Sequence, residues 1–449
     1  MSDGAATETG AVERENHKGW GLTAVTGLLQ KIVDVRADEV RALLLGFAYF
    51  FCVLTAYYIL RPLRDEMGIQ GGVRNLPWLF TATFLTMLCA VPFYGKLVAR
   101  FPRERFIPLV YRFFIVNILI FWVLLTFEIG GVHVARVFFV WISVFNLFVV
   151  SVFWSFMADL FRTEQGKRLF GFIAAGGSAG ALLGPSITLG LSAPLGPVNL
   201  LLISALILEI ALFCVRGLSR SALPKAIMPG TFAEQPIGGG ALAGLSLIFK
   251  SRYLSGIALW VFLLTVIGTF LYFQQANIVA AASNDPTQRT QIFAGIDLAA
   301  GILTILIQLL ATGRLMTRFG VGPAAAVLPA IAIIGFIALA IAPMLAVIVI
   351  FQAVQRTANF AISNPAREIL FTVLPREAKY KAKNVIDTLV FRGGDAVSGW
   401  GFAALQGVGL EIAAIALATA PIAGLWFVLS LALGRMQAAR ANNLDAGAP

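Results

Sequence analysis

The sequence predicts an all-α integral membrane protein with twelve transmembrane helices in two six-helix halves. Of its 449 residues, 59% are hydrophobic and 13% are charged, whereas about 25% of residues are charged in a soluble protein. Apolar stretches long enough to cross roughly 30 Å of hydrocarbon recur along the whole chain. The two parts of the chain also repeat short motifs in the same order. In lipid, only helices and closed barrels satisfy the backbone hydrogen bonds, and stretches of this length are typical of helices.

The apolar stretches divide six plus six around one polar linker at 218–253. The N-terminal half, 40–217, and the C-terminal half, 254–435, are flanked by tails at 1–39 and 436–449. The first tail contains WGLTAVTGLLQKIVDV from Trp20, whose apolar spacing predicts a short helix at the membrane surface. The predicted spans are 40–66, 76–99, 105–127, 133–161, 169–191, 196–217, 254–283, 290–317, 323–341, 344–373, 384–407 and 411–435.

The lysines and arginines indicate which side the tails occupy. Of these 34 residues, 25 lie in the two tails and in the loops expected on the same side as the tails. Only Arg74 and Arg289 lie in the opposite loops. Because positive loops stay in the cytoplasm, both termini are predicted to be cytoplasmic. Topology thus accounts for the net charge of +11, and nucleic acid is not an expected partner.

No group of residues suggests catalysis, a metal or a cofactor. The three cysteines fall in apolar stretches, and the two histidines are far apart in the sequence. Gly176, Gly180 and Gly184 recur every four residues, but no Lys-Ser/Thr follows them as in a phosphate-binding loop. Their spacing instead predicts close helix packing. An enzyme is therefore not expected.

A basic turn follows the second span of each half. GKLVARF begins at Gly95 and GRLMTRF at Gly313. The turn resembles the loop motif of the major facilitator superfamily, with Ala99 and Thr317 at the position of its usual aspartate. The resemblance implies that substrate binds between two halves related by an axis along the membrane normal. It also implies a gating role for the turn residues Gly95, Arg100, Gly313 and Arg318.

Charged and amide side chains form stripes inside several spans. Such residues are costly in lipid and usually face a cavity or a partner. We expect them to line an aqueous substrate pathway, with Arg112 and Arg136 shifting its charge towards an anionic ligand. The alternative for the first span is a structural ion pair between Arg61 and Asp65. The predicted substrate-binding residues are Arg61, Arg64, Gln274, Asn277, Gln352, Arg356, Asn359 and Arg392. Those predicted for proton coupling or ion pairs are Asp65, Asp297, Asp387 and Asp395.

Four stretches resemble the bacterial branch of the ATP/ADP antiporter family. They are YYILRPLRDE, VFNLFVVSVFWSFMADLF, QGKRLFGFIAAGGSAGALLGP and NPAREILFTVLPREAKYKAKNVIDTLVFRGGD. The resemblance implies a bacterial inner-membrane protein that exchanges ATP for ADP or carries related phosphorylated anions. Arg64 occupies the position of a lysine that is important for nucleotide in that family. Ile142 lies near the position of the family's glutamate in the fourth span.

The sequence therefore predicts a secondary transporter that works by alternating access and exchanges nucleotides or a related phosphorylated organic anion. One alternative is a proton-coupled permease or exporter for a siderophore, peptide, drug or lysolipid. A second alternative is a membrane sensor or scaffold that does not transport. The expected partners are a small anionic substrate and the lipid bilayer, with the protein as a monomer.

Overall fold

The computed structural model describes residues 34–36, 38–100, 103–161, 163–220 and 241–445. The surface helix predicted from Trp20 and most of the linker lie outside the described residues. Within these ranges the regular structure is entirely helical, as predicted. Twelve long helices, α1 to α12, follow one another along the chain.

The first half contains six helices. They are α1 (Val40–Gln70), α2 (Leu76–Arg100), α3 (Arg103–Thr126), α4 (Gly131–Leu160), α5 (Thr163–Leu195) and α6 (Leu200–Arg220).

The second half contains the other six, three of which each include a π-helical turn, at Gln308–Thr312, Asn359–Ser363 or Ile386–Val390. They are α7 (Arg252–Ala282), α8 (Pro286–Phe319), α9 (Val321–Ile341), α10 (Leu345–Leu370), α11 and α12 (Ile412–Asp445). Helix α11 comprises Arg376–Val385, the π-helical turn Ile386–Val390 and Phe391–Gly407.

Among the described residues, eleven of the twelve long helices are long and apolar enough to cross a membrane, and α11 is the exception. Its hydropathy is lowered by several glycines and by charged residues such as Arg392 and Asp395. These two side chains lie 3.7 Å apart, and Asp395 accepts a hydrogen bond from Thr269 of α7. Asp395 of α11 therefore faces α7 rather than lipid.

The helices extend beyond the predicted spans because hydropathy marks only the part that lies in hydrocarbon. Helix α11 starts at Arg376 rather than at 384, and α12 continues to Asp445 rather than ending at 435. The polar linker also differs from the prediction, since its last part forms a short helix, Ala241–Lys250. Leu245, Leu247 and Ile248 of this helix pack against the core of the second half.

Each half has its own hydrophobic core. In the first half, Tyr49, Phe138 and Phe153 are fully buried, and in the second half Trp260 and Trp426 are fully buried. The second core also includes four residues of the first half, Ile69, Leu76, Leu79 and Phe139. The distal ends of α1, α2 and α4 therefore contribute to the core of the second half.

Helices α1 and α5 approach closely at the glycines that the sequence singled out. A Cβ atom would lie 2.4 Å from the carbonyl oxygen of Phe47 at Gly176 and 2.5 Å from that of Phe51 at Gly180. At Gly184 it would lie 2.6 Å from Cβ of Tyr58. Since real side chains do not fit at these distances, the prediction of close packing is confirmed.

The two faces of the bundle differ in how the halves meet. We call the face that carries the start of α1 and the end of α12 the terminal face, and the opposite one the distal face. Near the distal face, Tyr272 of α7 donates a hydrogen bond to Asp65 of α1 at 2.9 Å. At the same level, Trp400 of α11 donates one to Thr81 of α2 at 3.0 Å. These contacts hold the halves together at the distal face.

Candidate functional site

A cavity of about 220 Å³ lies between the halves near the middle of the bundle. Its walls come from α1 and α5 of the first half and from α8 and α10 of the second. The lining residues Gln308 and Phe360 are exposed and lie towards the terminal ends of α8 and α10, and Ser178 is exposed at the middle of α5. The cavity is therefore accessible from the terminal side, while the contacts described above close the distal side.

Three charged residues from both halves meet in this cavity. Asp297 of α8 pairs with Arg356 of α10 through a short contact between Oδ1 and a guanidinium nitrogen. The same oxygen lies 3.5 Å from a guanidinium nitrogen of Arg61 on α1. The other oxygen of Asp297, Oδ2, has no hydrogen-bond partner among the described residues. Two cations and one anion give this cluster a net positive charge.

The helices fix this cluster in place. The Asp297 side chain is only 1% exposed, and those of Arg356 and Arg61 are 11% and 18% exposed. Arg61 also lies over the ring of Tyr58, at 5.6 Å from the centroid. A buried carboxylate is costly unless it is paired, and Asp297 is paired with both arginines. Each guanidinium group can donate two parallel hydrogen bonds to a carboxylate or phosphate. The cluster can therefore bind an anion that takes over the role of the Asp297 carboxylate.

The charged residues that follow Arg61 in α1 lie nearer to the distal face. Arg64 lies 3.4 Å from Asp65 and stacks over the Phe139 ring at 4.1 Å from its centroid. Arg64 does not line the central cavity. The alternative pair between Arg61 and Asp65 is not formed, because Arg61 pairs with Asp297 and Asp65 pairs with Arg64. Arg61 thus faces the cavity, whereas Arg64, one helical turn later in α1, lies against Phe139 of α4.

The amides predicted for the second half lie away from the cluster. Gln352 of α10 donates a short hydrogen bond to Gln275 of α7. Gln274 is fully buried, and neither of its amide atoms has a partner among the described residues. Asn277 donates to its own helix and lines a separate cavity of about 1040 Å³ that reaches the distal face. Asn359 begins the π-helical turn of α10. None of the four lines the central cavity.

The other charges predicted in the second half form pairs of their own. Arg392 pairs with Asp395 within α11. Asp387 lies 3.6 Å from Arg367 of α10. Of the twelve residues predicted to bind substrate or to couple transport, Arg61, Arg356 and Asp297 line the central cavity.

The two arginines expected to make the cavity positive lie elsewhere. Arg112 is exposed on α3, and Arg136 lies near the start of α4. Neither lines the central cavity, so that expectation was wrong for these residues. The positive charge comes instead from Arg61 and Arg356 sharing one carboxylate.

A buried ion pair closes the distal face between the halves. Both oxygens of Glu66 on α1 accept hydrogen bonds from Arg289 of α8, at 2.6 Å and 2.7 Å. Gln70 donates a third hydrogen bond to Glu66 at 3.2 Å. Sequence reasoning missed Arg289 as a site residue because it was assigned to a loop. The signal in the sequence that could have identified it is its positive charge, since arginines are rare in the loops predicted opposite the tails.

The predicted gating turns are only partly described. Gly95 and Arg100 belong to α2, but the side chains of 94–105 lie outside the described residues. Gly313 continues α8 directly after its π-helical turn. Arg318 lies in the last turn of α8, over the ring of Phe319 at 5.7 Å from its centroid. The gating roles stay predictions.

Two further features surround the cavity. The π-helical turns of α8 and α10 contact each other, where Thr312 donates to the carbonyl oxygen of Ala361 at 2.8 Å. Such π-helical turns are frequently found at functional sites. Tyr58 and Ser178 line the cavity and were missed by sequence reasoning, because single hydroxyl groups on apolar helices give no distinctive signal. The described residues contain no group of three or more potential metal ligands.

Comparison with known proteins gives structural similarity only. No family model matches the chain, and no curated protein matches its sequence. A crystal structure of the nucleoside transporter NupG is similar with a TM-score of 0.60 and 13% identity, covering 89% of this chain and 99% of that one. A bacterial homologue of the iron transporter ferroportin, in an inward-facing state, has a TM-score of 0.61 and 14% identity over 88% of this chain and 98% of that one.

A peptide transporter of the POT family, in an auto-inhibited state, is also similar. Its TM-score is 0.60 at 16% identity, with 89% of this chain and 97% of that chain covered. Such low identities carry information about fold and not about cargo. Together with the twelve helices in two halves, they show that this chain has the fold of the major facilitator transporters.

Proposed function

We propose that the protein is a secondary transporter that carries a small organic anion by alternating access between its two halves. The observation that carries the proposal is the cluster of Arg61, Asp297 and Arg356, which is contributed by both halves and lies in a cavity closed at the distal face. Intramembrane charges of this kind mark substrate or ion pathways in membrane proteins.

The geometry supports a simple transport cycle. Without cargo, the Asp297 carboxylate neutralises Arg356 and partly neutralises Arg61. An entering anion accepts hydrogen bonds from both guanidinium groups in place of Asp297. Because Arg61 belongs to the first half and Arg356 to the second, a bound anion joins the halves at mid-depth. If the anion binds the state with a closed terminal side more tightly than the state with an open one, it shifts the population towards the closed state.

The size of the cavity favours compact cargo. Pockets for drug-sized ligands are commonly about 300–1,000 Å³, whereas this cavity measures about 220 Å³. A small phosphorylated or carboxylated metabolite suits this space and the donors around it. Exchange of ATP for ADP is the version that the family resemblance implies. A nucleotide would require the halves to move further apart than they are in this conformation.

A proton-coupled permease is the second candidate. The observation that favours it is the Oδ2 atom of Asp297, which is buried and has no hydrogen-bond partner among the described residues. Aspartates inside the spans of transporters can act as proton relays. In that case uptake would follow an imposed pH gradient and would need no internal exchange partner.

The test is uptake into proteoliposomes. Vesicles loaded with ADP, with a mixture of small phosphorylated and carboxylated metabolites, or with buffer alone are given labelled ATP or labelled small anions. Uptake of a small anion by loaded vesicles supports the proposal, and uptake of ATP only with internal ADP supports nucleotide exchange. Uptake into buffer-filled vesicles that rises with an inward proton gradient supports the permease. If the folded protein takes up none of these anions under any condition, the proposal fails.

A further inference from the structure

A groove on the outer side of the first half has no role in the proposed transport cycle. It has a volume of about 880 Å³ and lies between α2, α3 and α4. Its lining is apolar apart from Thr86, Arg136 and the indole nitrogen of Trp141. We propose that this groove binds one phospholipid of the leaflet at the distal face, with an acyl chain in the groove and the phosphate on Arg136.

The packing of the helices explains why the groove is open. Helix α2 packs against α4 and α11, whereas α3 packs against α6 and α4. Leu79, Thr86 and Phe93 lie seven residues apart on one face of α2, and this face is turned towards the gap. Phe93 and Phe113 at the gap are 60% and 58% exposed. Apolar side chains this exposed on membrane helices face lipid, so hydrocarbon can enter the groove.

The length of the groove matches one leaflet. On α4 it extends from Arg136 to Phe148, which are twelve residues apart. At 1.5 Å per residue this is about 18 Å along the helix. One leaflet contributes roughly 15 Å of the hydrocarbon core. A single acyl chain that starts at the level of Arg136 would therefore fill the groove.

Arg136 is placed where a lipid phosphate would lie. Its Nε donates a hydrogen bond to the carbonyl oxygen of Gly71 at 3.0 Å. In the part of the chain that the structure describes, its two terminal nitrogens have no acceptor. Trp78 and Trp400 lie at the same distal end, and their side chains are 62% and 41% exposed. Because exposed indoles concentrate at the level of the lipid headgroups, Arg136 has its free donors within reach of a phosphate.

The free charge also favours lipid over a protein partner. An apolar helix of another chain could fill the groove, but it would leave the guanidinium group of Arg136 without an anion at the membrane boundary. A phospholipid supplies both the hydrocarbon for the groove and the anion for Arg136. A second copy of this chain is the occupant against which the lipid must be tested.

Native mass spectrometry of the delipidated full-length protein tests the proposal. The protein is titrated with dioleoylphosphatidylglycerol, and the lipid-bound fraction is measured for the wild type, Arg136→Gln and Ala90→Phe. Arg136→Gln removes the charge, and Ala90→Phe fills the groove without touching Arg136. Ala418→Phe on the exposed face of α12 is the matched control. We expect the first lipid to bind at least about tenfold more weakly to Arg136→Gln, to be lost in Ala90→Phe and to be retained in Ala418→Phe.

The same spectra contain the outcomes that would overturn the proposal. Equal lipid binding by wild type and Ala90→Phe would show that the groove is not the site, even if Arg136→Gln fails to fold. A dimer mass that disappears in Ala90→Phe, without any lipid retained by the wild type, would assign the groove to a second copy. Dihexanoylphosphatidylglycerol has acyl chains too short to fill the groove. If it binds as tightly as dioleoylphosphatidylglycerol, the protein recognises the headgroup only and the groove does not hold an acyl chain.

Discussion

The ion pair between Glu66 and Arg289 gives the sharpest mechanical prediction. The pair joins the two halves at the distal face through two hydrogen bonds of 2.6 Å and 2.7 Å. The two side chains are only 1% and 10% exposed. In a state that opens the distal face, α1 and α8 must separate, and both groups become hydrated. The pair therefore stabilises the conformation seen here over the distal-open one.

The substitution Glu66→Gln should shift this balance. Removing one partner of a buried pair leaves the other charge uncompensated, which costs about 3–5 kcal/mol. Because Gln can still accept one hydrogen bond from Arg289, we take the lower end, about 3 kcal/mol. If this free-energy cost falls on the distal-closed state alone, the ratio of the distal-open to the distal-closed population rises by roughly two orders of magnitude. The double variant Glu66→Gln/Arg289→Gln should shift the balance less, since no charge is left unpaired.

Double electron–electron resonance measures this shift directly. One pair of spin labels at His133 and Gln288, which are exposed on opposite halves at the distal face, reports opening there. A second pair at Glu164 and Thr372 reports closing of the terminal face. In Glu66→Gln the first distance should lengthen and the second should shorten.

The control is Glu128→Gln, which removes an exposed carboxylate at the same face and should leave both distances unchanged. If Glu66→Gln and Arg289→Gln both keep the wild-type distances in folded protein, the pair does not hold the distal face closed. The reasoning from burial would then be refuted.

Two further predictions concern stability. Gly180→Ala places a Cβ atom 2.5 Å from a backbone oxygen of α1, whereas Gly190 on the same helix has nothing within 4 Å. Gly180→Ala should therefore lower the free energy of unfolding by about 1–3 kcal/mol, and with it the Tm in detergent. Gly190→Ala should leave the Tm unchanged. Equal Tm values for the two variants would contradict the close packing of α1 and α5. Burial acts to raise the pKa of Glu39 just before α1, but hydrogen bonds from the backbone of Arg36 and from Gln165 and Arg168 lower this pKa overall. The stability that Glu39 contributes is thus present above its unfolded pKa of about 4.3 and is lost as the pH falls through its folded pKa. Acidification should therefore lower the Tm of the wild type more than that of Glu39→Gln. Parallel curves of Tm against pH for the two proteins would refute the effect.

The fold could be predicted almost completely from the sequence. Length and apolarity identify a membrane helix with little ambiguity, because the bilayer sets the length. The glycines of α5 could be read correctly, since small residues every four positions have one dominant structural use. The helix ends were less accurate, as at Asp445, because nothing in hydropathy marks where a helix stops once it has left the hydrocarbon.

The site was only partly predictable. Arg356 and Asp297 were picked out because charges inside apolar helices are rare. Their pairing depends on how α8 and α10 pack, which a single sequence does not contain. The same ambiguity led to the expectation that Arg112 and Arg136 would contribute to the cavity. A charged residue near the end of a helix gives the same pattern whether it faces a cavity, the membrane surface or a backbone carbonyl.

The central claim is that Arg61 and Arg356 together hold the anionic cargo. Counterflow of the anion identified in the proteoliposome panel tests it most directly, at matched amounts of reconstituted protein. Loss of one charge-assisted contact costs about 1.5–3 kcal/mol, so Arg61→Gln and Arg356→Gln should each weaken the apparent affinity by about tenfold or more. Arg112→Gln, exposed on α3 and outside the central cavity, should match the wild type. Wild-type affinity in both Arg61→Gln and Arg356→Gln would contradict the claim and would place the anion outside this cavity.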